Sequence, residues 1–570
     1  MVATAPKRNY VPQNLDLADW SQIEPLGKEL LDRPINSPAD LEKWLLDFSE
    51  LNSVIDEYGS RRYIDKSCHT EDKEIEKAFL HFVENIEPKF KPIYFELQKK
   101  FLNSPHLAAL KDKRYEILTR QWQAEVEIFR EKNVPLETDI IKLVTDYDKI
   151  IGAMLVNFRG KEYTMQQLGR FTEEPDRQTR EESWTLGTNR RLQDREPIEA
   201  IFDKLLPLRQ EIAANAGLAD YRTYMWKALK RFDYTPQDSL KFSEAIANTV
   251  VPLVDELDQQ RAKDLGLAKL RPWDLSVDPQ NRPPLRPFLE SDIDGFVAKT
   301  HEIFRRLSPQ LADDFDLLRQ HHNLDLDSRK GKRAGGYQSN LNEIREPFIF
   351  MNAAGLQRDV ETLLHEGGHA FHTLAARDEP LVFLRSAPME FCEVASMSME
   401  LFAADHLEVF YNEADQARAK RVQLEGIIRV FPWIAVIDSF QHWIYTHPGH
   451  TRDQRTLEWL RLLDRFGSKL DWRRFEDARA SMWQRQLHLF HVPFYYIEYG
   501  IAQLGALQLW MKAKQDPQRA LNNYRSALKL GGTRGLPDLF RAAGIEFDFS
   551  EKTLLPLMHA VRTELEELPR

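Results

Sequence analysis

Apolar residues recur at helical spacing along the first third of the chain. Between residues 41 and 51 the positions that follow a period of 3.6 residues are Leu41, Trp44, Leu45, Phe48 and Leu51. Ser37 followed by Pro38 is typical of a helix start. Similar patterns dominate residues 37–200, where no chemical motif occurs, so we predict an amino-terminal helical lobe that packs and forms a wall of a cleft.

Two later stretches interrupt the helical pattern. Residues 272–287 are rich in proline and predict an ordered surface crossing between helices rather than between domains. Residues 335–351 contain a glycine pair and the short apolar run 347–351, and they are the one place where strands are expected. Helical patterns resume near Asp359 and after Pro388. We therefore predict a mainly α protein with a small β-sheet beside the helix that starts near Asp359.

Length and composition limit the classes of protein. A chain of 570 residues exceeds one ordinary core, which predicts at least two helical lobes. The net charge of −11 argues against nucleic-acid binding. Cys68 and Cys392 are far apart in sequence, so we expect no structural disulfide between them, which fits a reducing compartment. With no apolar signal or membrane segment in the sequence, we expect a cytoplasmic protein without membrane contact. The oligomeric state is not predicted.

One pentapeptide carries the chemistry. Residues 365–369 read His365-Glu366-Gly367-Gly368-His369, and on a helix this spacing puts both imidazoles on one face, where they can bind one zinc ion. Glu366 would then be the base that takes a proton from a zinc-activated water. The glycine pair costs the helix roughly 1 kcal/mol per residue against alanine, which makes sense where a neighbouring helix or a substrate approaches the backbone.

Two histidines leave zinc under-coordinated, and an acid on a second helix is the simplest third ligand. The helix predicted after Pro388 offers Glu390, Glu393 and Glu400. Glu393 and Glu400 are seven residues apart and share a face, so one could bind metal while the other supports a ligand. Spacing does not choose between them. His372 faces the same side as His369 and could compete as a ligand, although a supporting role, as for Asp359, is favoured.

Several segments carry a resemblance to a known family. Residues 359–372 and 391–400, with further similarity in residues 224–236, 331–337, 347–352 and 440–448, resemble the thimet oligopeptidase and oligoendopeptidase F family of zinc metallopeptidases, oligoendopeptidase F most closely. The likeness covers roughly residues 200–520, and it implies an N-terminal helical lobe over residues 1–200 and a catalytic zinc metallopeptidase domain over residues 201–570. It implies two helical lobes that enclose a deep substrate channel, one Zn²⁺ per chain on His365, His369 and Glu393, and hydrolysis of internal bonds in short peptides.

The resemblance also implies a second catalytic segment, over residues 488–499. His488, Tyr496 and Tyr499 match the family's histidine and tyrosines, which bind the substrate carbonyl and the transition state. The two tyrosines are three residues apart and would share a helix face. Val492-Pro493 stands where thimet oligopeptidase has a glycine pair, with one residue fewer, which leaves open whether His488 or His491 contacts substrate.

Two alternatives to a zinc endopeptidase stay open. A dipeptidyl carboxypeptidase-type exopeptidase needs a fixed cation for the terminal carboxylate, and Arg333, Arg345 and Arg385 flank the motif in sequence. A non-catalytic zinc-containing peptide-binding protein is the other alternative. Structural zinc usually has four protein ligands, and only three good candidates are visible here.

Overall fold

Helices make up most of the chain. The computed structural model describes residues 7–329, 331–333 and 335–569. In the amino-terminal half of this part of the chain the helices are α1 Trp20–Asp32, α2 Pro38–Cys68, α3 Lys73–His81, α4 Glu87–Leu102, α5 Lys113–Ile128, α6 Val134–Gly152, α7 Met165–Gly169, α8 Arg177–Gln193, α9 Arg195–Asn215, α10 Tyr221–Ala228, α11 Pro236–Thr249 and α12 Val251–Asp264. The remaining helices are α13 Ile293–Leu307, α14 Pro309–Gln320, α15 Gln357–Ala376, α16 Met389–Ala403, α17 Glu413–Thr446, α18 Arg452–Phe466, α19 Glu476–Ala480, α20 His488–His491, α21 Ile497–Gln515, α22 Pro517–Leu528, α23 Leu536–Ala542 and α24 Glu551–Glu567.

Two small sheets accompany these helices. The strands are β1 Leu155–Phe158, β2 Lys161–Thr164, β3 Leu324–Asp327, β4 Tyr337–Leu341 and β5 Glu346–Ala353. β1 and β2 form an antiparallel hairpin, and the second sheet has the order β3-β5-β4, with β3 parallel and β4 antiparallel to β5. The second sheet packs on α15. The mainly α class with a small sheet beside the HExxH helix is confirmed, whereas a deep channel stays a prediction.

The expectation that strands occur only within residues 335–351 is wrong. β3 precedes that stretch, and the β1–β2 hairpin lies within the part predicted to be helical. At its turn Arg159 and Gly160 both have positive φ, 53° and 82°, as a two-residue hairpin turn requires. Side chains at Val156 and Phe158 are buried while their neighbours are exposed. Four-residue strands are too short for this alternation to stand out from a helical background.

The chain divides into two compact units, each built from three segments. Unit 1 comprises Met1–Glu131, Arg286–Gln416 and Ile501–Phe547, and unit 2 comprises Lys132–Leu285, Ala417–Gly500 and Asp548–Arg570. The passage from unit 2 to unit 1 falls inside the proline-rich residues 272–287, so the expectation that this stretch separates only helices is wrong. The predicted functional division at residue 200 stays a prediction.

Each unit has an aromatic core. In unit 1 the α2 residues Trp44 and Phe48 are fully buried, and the Phe48 ring lies 5.7 Å from Trp122. The start of α2 is as predicted, because the Ser37 side chain accepts a hydrogen bond from the Asp40 N–H. In unit 2 the ring of Phe490 stacks on Tyr147 at 3.9 Å. Within the described residues, no helix is both long and apolar enough to span a bilayer.

Candidate active site

Helix α15 carries both histidines of the pentapeptide on one face. The Asp359 carboxylate stabilises the start of this helix, since it accepts hydrogen bonds from the N–H groups of Ala354 at 2.7 Å and Leu356 at 2.8 Å. The four-residue spacing places the ring centroids of His365 and His369 5.0 Å apart. The two imidazoles can therefore reach a common point.

The glycine pair allows close packing against α15. A Cβ on Gly368 would lie 2.5 Å from Ser396 Cα and 2.6 Å from the Ala395 carbonyl oxygen, both in the backbone of α16. A Cβ on Gly367 would lie 2.9 Å from the Phe304 ring. Of the two explanations offered by the sequence, approach of a neighbouring helix therefore accounts for Gly368. Backbone-to-backbone contact fixes α16 against α15.

This contact brings Glu393 to the two histidines. Glu393 Oε2 lies 3.3 Å from His365 Nε2 and 3.6 Å from His369 Nε2. Ligand atoms from the three residues all lie within 4.8 Å of one another. A tetrahedral zinc ion with bonds of about 2.0–2.1 Å spaces its ligand atoms about 3.3 Å apart. Two imidazole nitrogens and a carboxylate oxygen at these separations fit zinc, with one coordination position left over.

The other acids and the third histidine have different partners. Glu400 Oε1 lies 2.7 Å from His365 Nδ1, a contact that orients the ring and leaves Nε2 for a metal. Glu390 is buried on the first turn of α16, outside the metal-binding group. His372 Nδ1 lies 3.6 Å from Cys392 Sγ, and His372 is also outside that group. The geometry thus separates candidates that spacing could not.

Glu366 is suited to proton transfer near neutral pH. Its side chain is 7% exposed. Burial raises the pKa of Glu366 to about 7, and the carboxylates of Glu393 and Glu400 add to this effect while His365 opposes it. A group with a pKa near the working pH can both accept and return a proton.

The two histidines have opposite pKa shifts. Burial lowers the pKa of His369 to about 4, so its ring is neutral at pH 7 and can donate a lone pair to a metal. Burial also acts to lower the pKa of His365, but hydrogen bonding to Glu393 and Glu400 outweighs it and raises that pKa well above its ordinary value. The centre therefore has an excess of negative charge that a cation would balance.

In unit 2, one histidine and three tyrosines of residues 488–499 form a cluster, and the tyrosine that the sequence did not single out is Tyr495, whose ring lies 5.3 Å from that of Tyr499. The ring of His488 lies 4.9 Å from that of Tyr496, and its Nε2 lies 3.3 Å from the Tyr499 hydroxyl. Gln486, which the sequence did not single out, places Nε2 2.7 Å from His488 Nδ1. His491 instead pairs with Asp148 at 2.8 Å. Between the two histidines left open by the sequence, the structure groups His488 with the tyrosines.

A buried set of polar side chains holds this segment. Phe494 has φ of 67°, a left-handed conformation that is rare for an aromatic residue. Its N–H donates to Gln441 Oε1 at 2.6 Å, and its carbonyl accepts from Arg231. Arg231 also forms a buried ion pair with Glu498 at 2.7 Å. Sequence reasoning missed Arg231 and Gln441 because these contacts join residues far apart in the chain.

Two imidazoles and a carboxylate next to a buried glutamate are the side chains of metal-dependent hydrolases. The chain belongs to peptidase family M3, whose profile matches residues 170–557. Residues 14–129 match the profile of the peptidase M3 N-terminal domain. The family resemblance expected from the sequence is confirmed, and it extends well beyond the expected residues 200–520.

Individual relatives agree with this assignment. The chain is 25% identical over 257 residues to an oligoendopeptidase F homolog of Borreliella burgdorferi, a match covering 43% of this chain and 42% of that protein. It is 24% identical over 254 residues to oligopeptidase PepF of Bacillus subtilis, covering 43% of this chain and 37% of PepF. These matches thus span less than half the length of the curated relatives.

Solved structures share the fold over nearly the whole chain. PZ peptidase A with an inhibitor superposes with a TM-score of 0.92 at 24% identity, covering 98% of this chain and 99% of that one. A candidate oligoendopeptidase F superposes with a TM-score of 0.91 at 26% identity, again covering 98% and 99%.

Proposed function

We propose that the protein is a zinc metalloendopeptidase of the oligopeptidase type, which hydrolyses internal bonds of short peptides. The observation that carries the proposal is the group formed by His365, His369 and Glu393 next to Glu366. These three ligands would hold one zinc ion. Bound zinc would supply Lewis acidity, which makes water a nucleophile at neutral pH and polarises a peptide carbonyl.

Glu366 has the role of proton carrier in this proposal. With a pKa of about 7, its carboxylate accepts a proton from the attacking water and returns it to the leaving amine. Glu400 is a positioning residue, since its contact with His365 Nδ1 fixes the orientation and tautomer of that ring.

We assign the donors for the oxyanion to His488, Tyr496 and Tyr499. The family resemblance supports this role, as does their clustering around the His488 ring. Burial raises the pKa of Tyr496 to about 12, so its phenol keeps its proton at neutral pH and can donate a hydrogen bond. Each pre-aimed donor of this kind is worth roughly 2.7–4 kcal/mol in the transition state.

Strand β4 supports binding of a peptide backbone. Within the described sheet β4 pairs on one side only, with β5. The backbone N–H of Gln338 in β4 also acts on the Glu366 carboxylate. An extended peptide that added to this edge would lie beside the proton carrier, and strand addition reads side chains weakly. Short peptides with varied sequences are therefore the proposed substrates.

Two of the three arginines proposed for the exopeptidase alternative already bind backbone carbonyls, whereas the Arg333 guanidinium lies 5.5 Å from the centre of the Tyr63 ring and leaves that alternative open. Arg385 donates to the carbonyl oxygens of Glu379, Asn342 and Pro380. Arg345 donates to the Arg377 carbonyl at 2.9 Å. Hydrolysis of a peptide blocked at both ends would remove this alternative, and a strict need for a free C-terminus would favour it.

The test of the mechanism is a Glu366→Gln variant with its metal content measured. The variant should keep one zinc ion per chain and lose at least about 10³-fold in kcat, since its amide cannot carry the proton. Wild-type turnover in the variant would refute the assignment of Glu366. Absence of hydrolysis of any short peptide by zinc-loaded wild type would favour a peptide-binding protein.

The proposal also places the catalytic domain at residues 201–570 and the protein in the cytoplasm.

A further inference from the structure

Unit 2 contains a cavity that the proposed chemistry does not use. Its volume is about 330 Å³. The larger side chains of its wall are Met154, Met165, Leu168, Trp184, Trp472 and Met482. An apolar cavity of about 150 Å³ already holds a benzene molecule. This one has room for an aromatic or branched side chain together with the polar group beside it.

Two arginines are the charged side chains among the described residues that line the cavity. Arg191 lies near the end of α8, and Arg485 lies three residues before His488. Within the described part of the chain, neither side chain makes an ion pair or a hydrogen bond, and the Arg485 guanidinium lies 5.8 Å from the centre of the Trp433 ring. Nearly every other arginine in this unit has a carboxylate or carbonyl partner, for example Arg209, Arg231 and Arg455.

Both guanidinium groups line the cavity, Arg191 half-buried and Arg485 exposed over more than a third of its surface. Burial lowers the pKa of both side chains, that of Arg485 to about 10, and the charge of Arg191 adds to the effect on Arg485. Both arginines remain protonated at pH 7. Their like charges repel each other, and an anion bound between them would relieve this repulsion.

We infer that this cavity binds a carboxylate of the peptide substrate through Arg191 and Arg485, with an adjacent apolar side chain against Trp184 and Trp472. The inference rests on the proposed peptidase function. Guanidinium groups bind carboxylates in a bidentate manner, and the wall accepts the apolar part of the same ligand. The position of Arg485 links the cavity to the catalytic segment, because its charge also acts on the Tyr496 phenol.

Three peptides of one sequence test the inference and locate the carboxylate. The first ends in a free carboxylate after an apolar residue, the second is its C-terminal amide, and the third is the amide with one internal glutamate. Wild-type protein should have a KM at least about tenfold lower for one of the two carboxylate-bearing peptides than for the plain amide. The peptide that shows this preference identifies the source, either the C-terminus or an acidic side chain. Equal KM values for all three would overturn the inference.

Matched variants assign the effect to the two arginines. In Arg191→Gln and in Arg485→Gln the ratio of KM values should fall to within about twofold of one. In Arg465→Gln, which removes a charge from an exposed pair with Glu244 in the same unit, the ratio should stay as in wild type. Persistence of the full preference in both cavity variants would refute the assignment.

A binding measurement needs neither a variant nor turnover. Calorimetry of wild type stripped of metal by a chelator, so that no metal ion can bind the carboxylate, should show N-acetyl-phenylalanine binding at least about tenfold tighter than N-acetyl-phenylalanine amide, and equal affinities count against the inference. This readout separates the two proposals. A protein that binds the acid selectively but cleaves no peptide would refute the proposed peptidase function and support the carboxylate subsite. Cleavage without a preference for the carboxylate would support the peptidase function and refute the subsite.

Discussion

Replacement of Gly368 by alanine should damage both stability and metal binding. The new Cβ would lie 2.5 Å from Ser396 Cα, whereas an ordinary contact begins at 3.4 Å, so α15 and α16 must separate locally by about 0.9 Å. Both nearest atoms belong to backbone and no flexible side chain can move aside. Overpacking of this kind costs about 1–3 kcal/mol, and the helix propensity of alanine offsets about 1 kcal/mol. We expect a net loss of about 2 kcal/mol from the free energy of unfolding.

The same separation would disturb the metal ligands. Glu393 lies one turn from Ser396 on α16, and its oxygen is 3.3 Å and 3.6 Å from the two histidine nitrogens. Zinc sites tolerate about 0.2 Å of error in ligand distance. A movement of about 0.9 Å should therefore raise the Kd for zinc at least about tenfold, measured by competition with a chelating dye.

Gly426→Ala is the matched control. Gly426 lies exposed inside α17, and a Cβ there would meet nothing within 4 Å. This variant should gain about 0.5–1 kcal/mol in urea unfolding and keep the wild-type affinity for zinc. If Gly368→Ala behaved like Gly426→Ala in both assays, the inferred close contact between α15 and α16 would be wrong.

Three further predictions concern charge. Burial raises the pKa of Glu366 from 4.5 to about 7, so between these pH values the folded metal-free protein keeps a proton that the unfolded chain has lost, and its stability falls as pH rises. Relative to wild type, metal-free Glu366→Gln should therefore gain about 3 kcal/mol in the free energy of unfolding between pH 4 and pH 8, measured by urea unfolding. A pH-independent difference between the two proteins would contradict this prediction. Glu400→Gln should raise the Kd for zinc about 10–100-fold, while exposed Glu408→Gln should leave it unchanged; equal effects would remove the positioning role of Glu400. Arg231→Met should lower the free energy of unfolding by about 3–5 kcal/mol, because Glu498 stays buried without its opposite charge. Adding Glu498→Leu to this variant should recover part of the loss. A further loss of stability in the double variant would argue against a coupled Arg231–Glu498 ion pair.

Helices α15 and α16 agree with the sequence prediction, because the four-residue spacing of His365 and His369 is itself helical and helix formers follow Pro388. Metal binding by residues 365–369 stays a prediction. Which acid joins the histidines depended on how two helices pack, and only the Gly368 contact decides that. Spacing within α16 leaves Glu393 and Glu400 equivalent.

Features that depend on distant residues were beyond sequence reasoning. Arg191 and Arg485 come from different regions of the chain and meet at one cavity, which no local pattern indicates. The same holds for the contact of Arg231 with Phe494, and for compact units assembled from three segments each. Short strands such as β1 and β3 were missed because four residues give too little alternation to outweigh a helical background.

The contact between Gly368 and the backbone of α16 makes the metal centre a product of folding. In small zinc domains the ion gathers its ligands and the unfolded chain pays the ordering entropy at the moment of binding. Here the packing of α15 against α16 during folding has already ordered the chain, so the ligand atoms lie at their mutual distances before any ion binds. Metal exchange can then proceed without refolding, and which ion is held depends on its match to two nitrogens and one oxygen and on its supply.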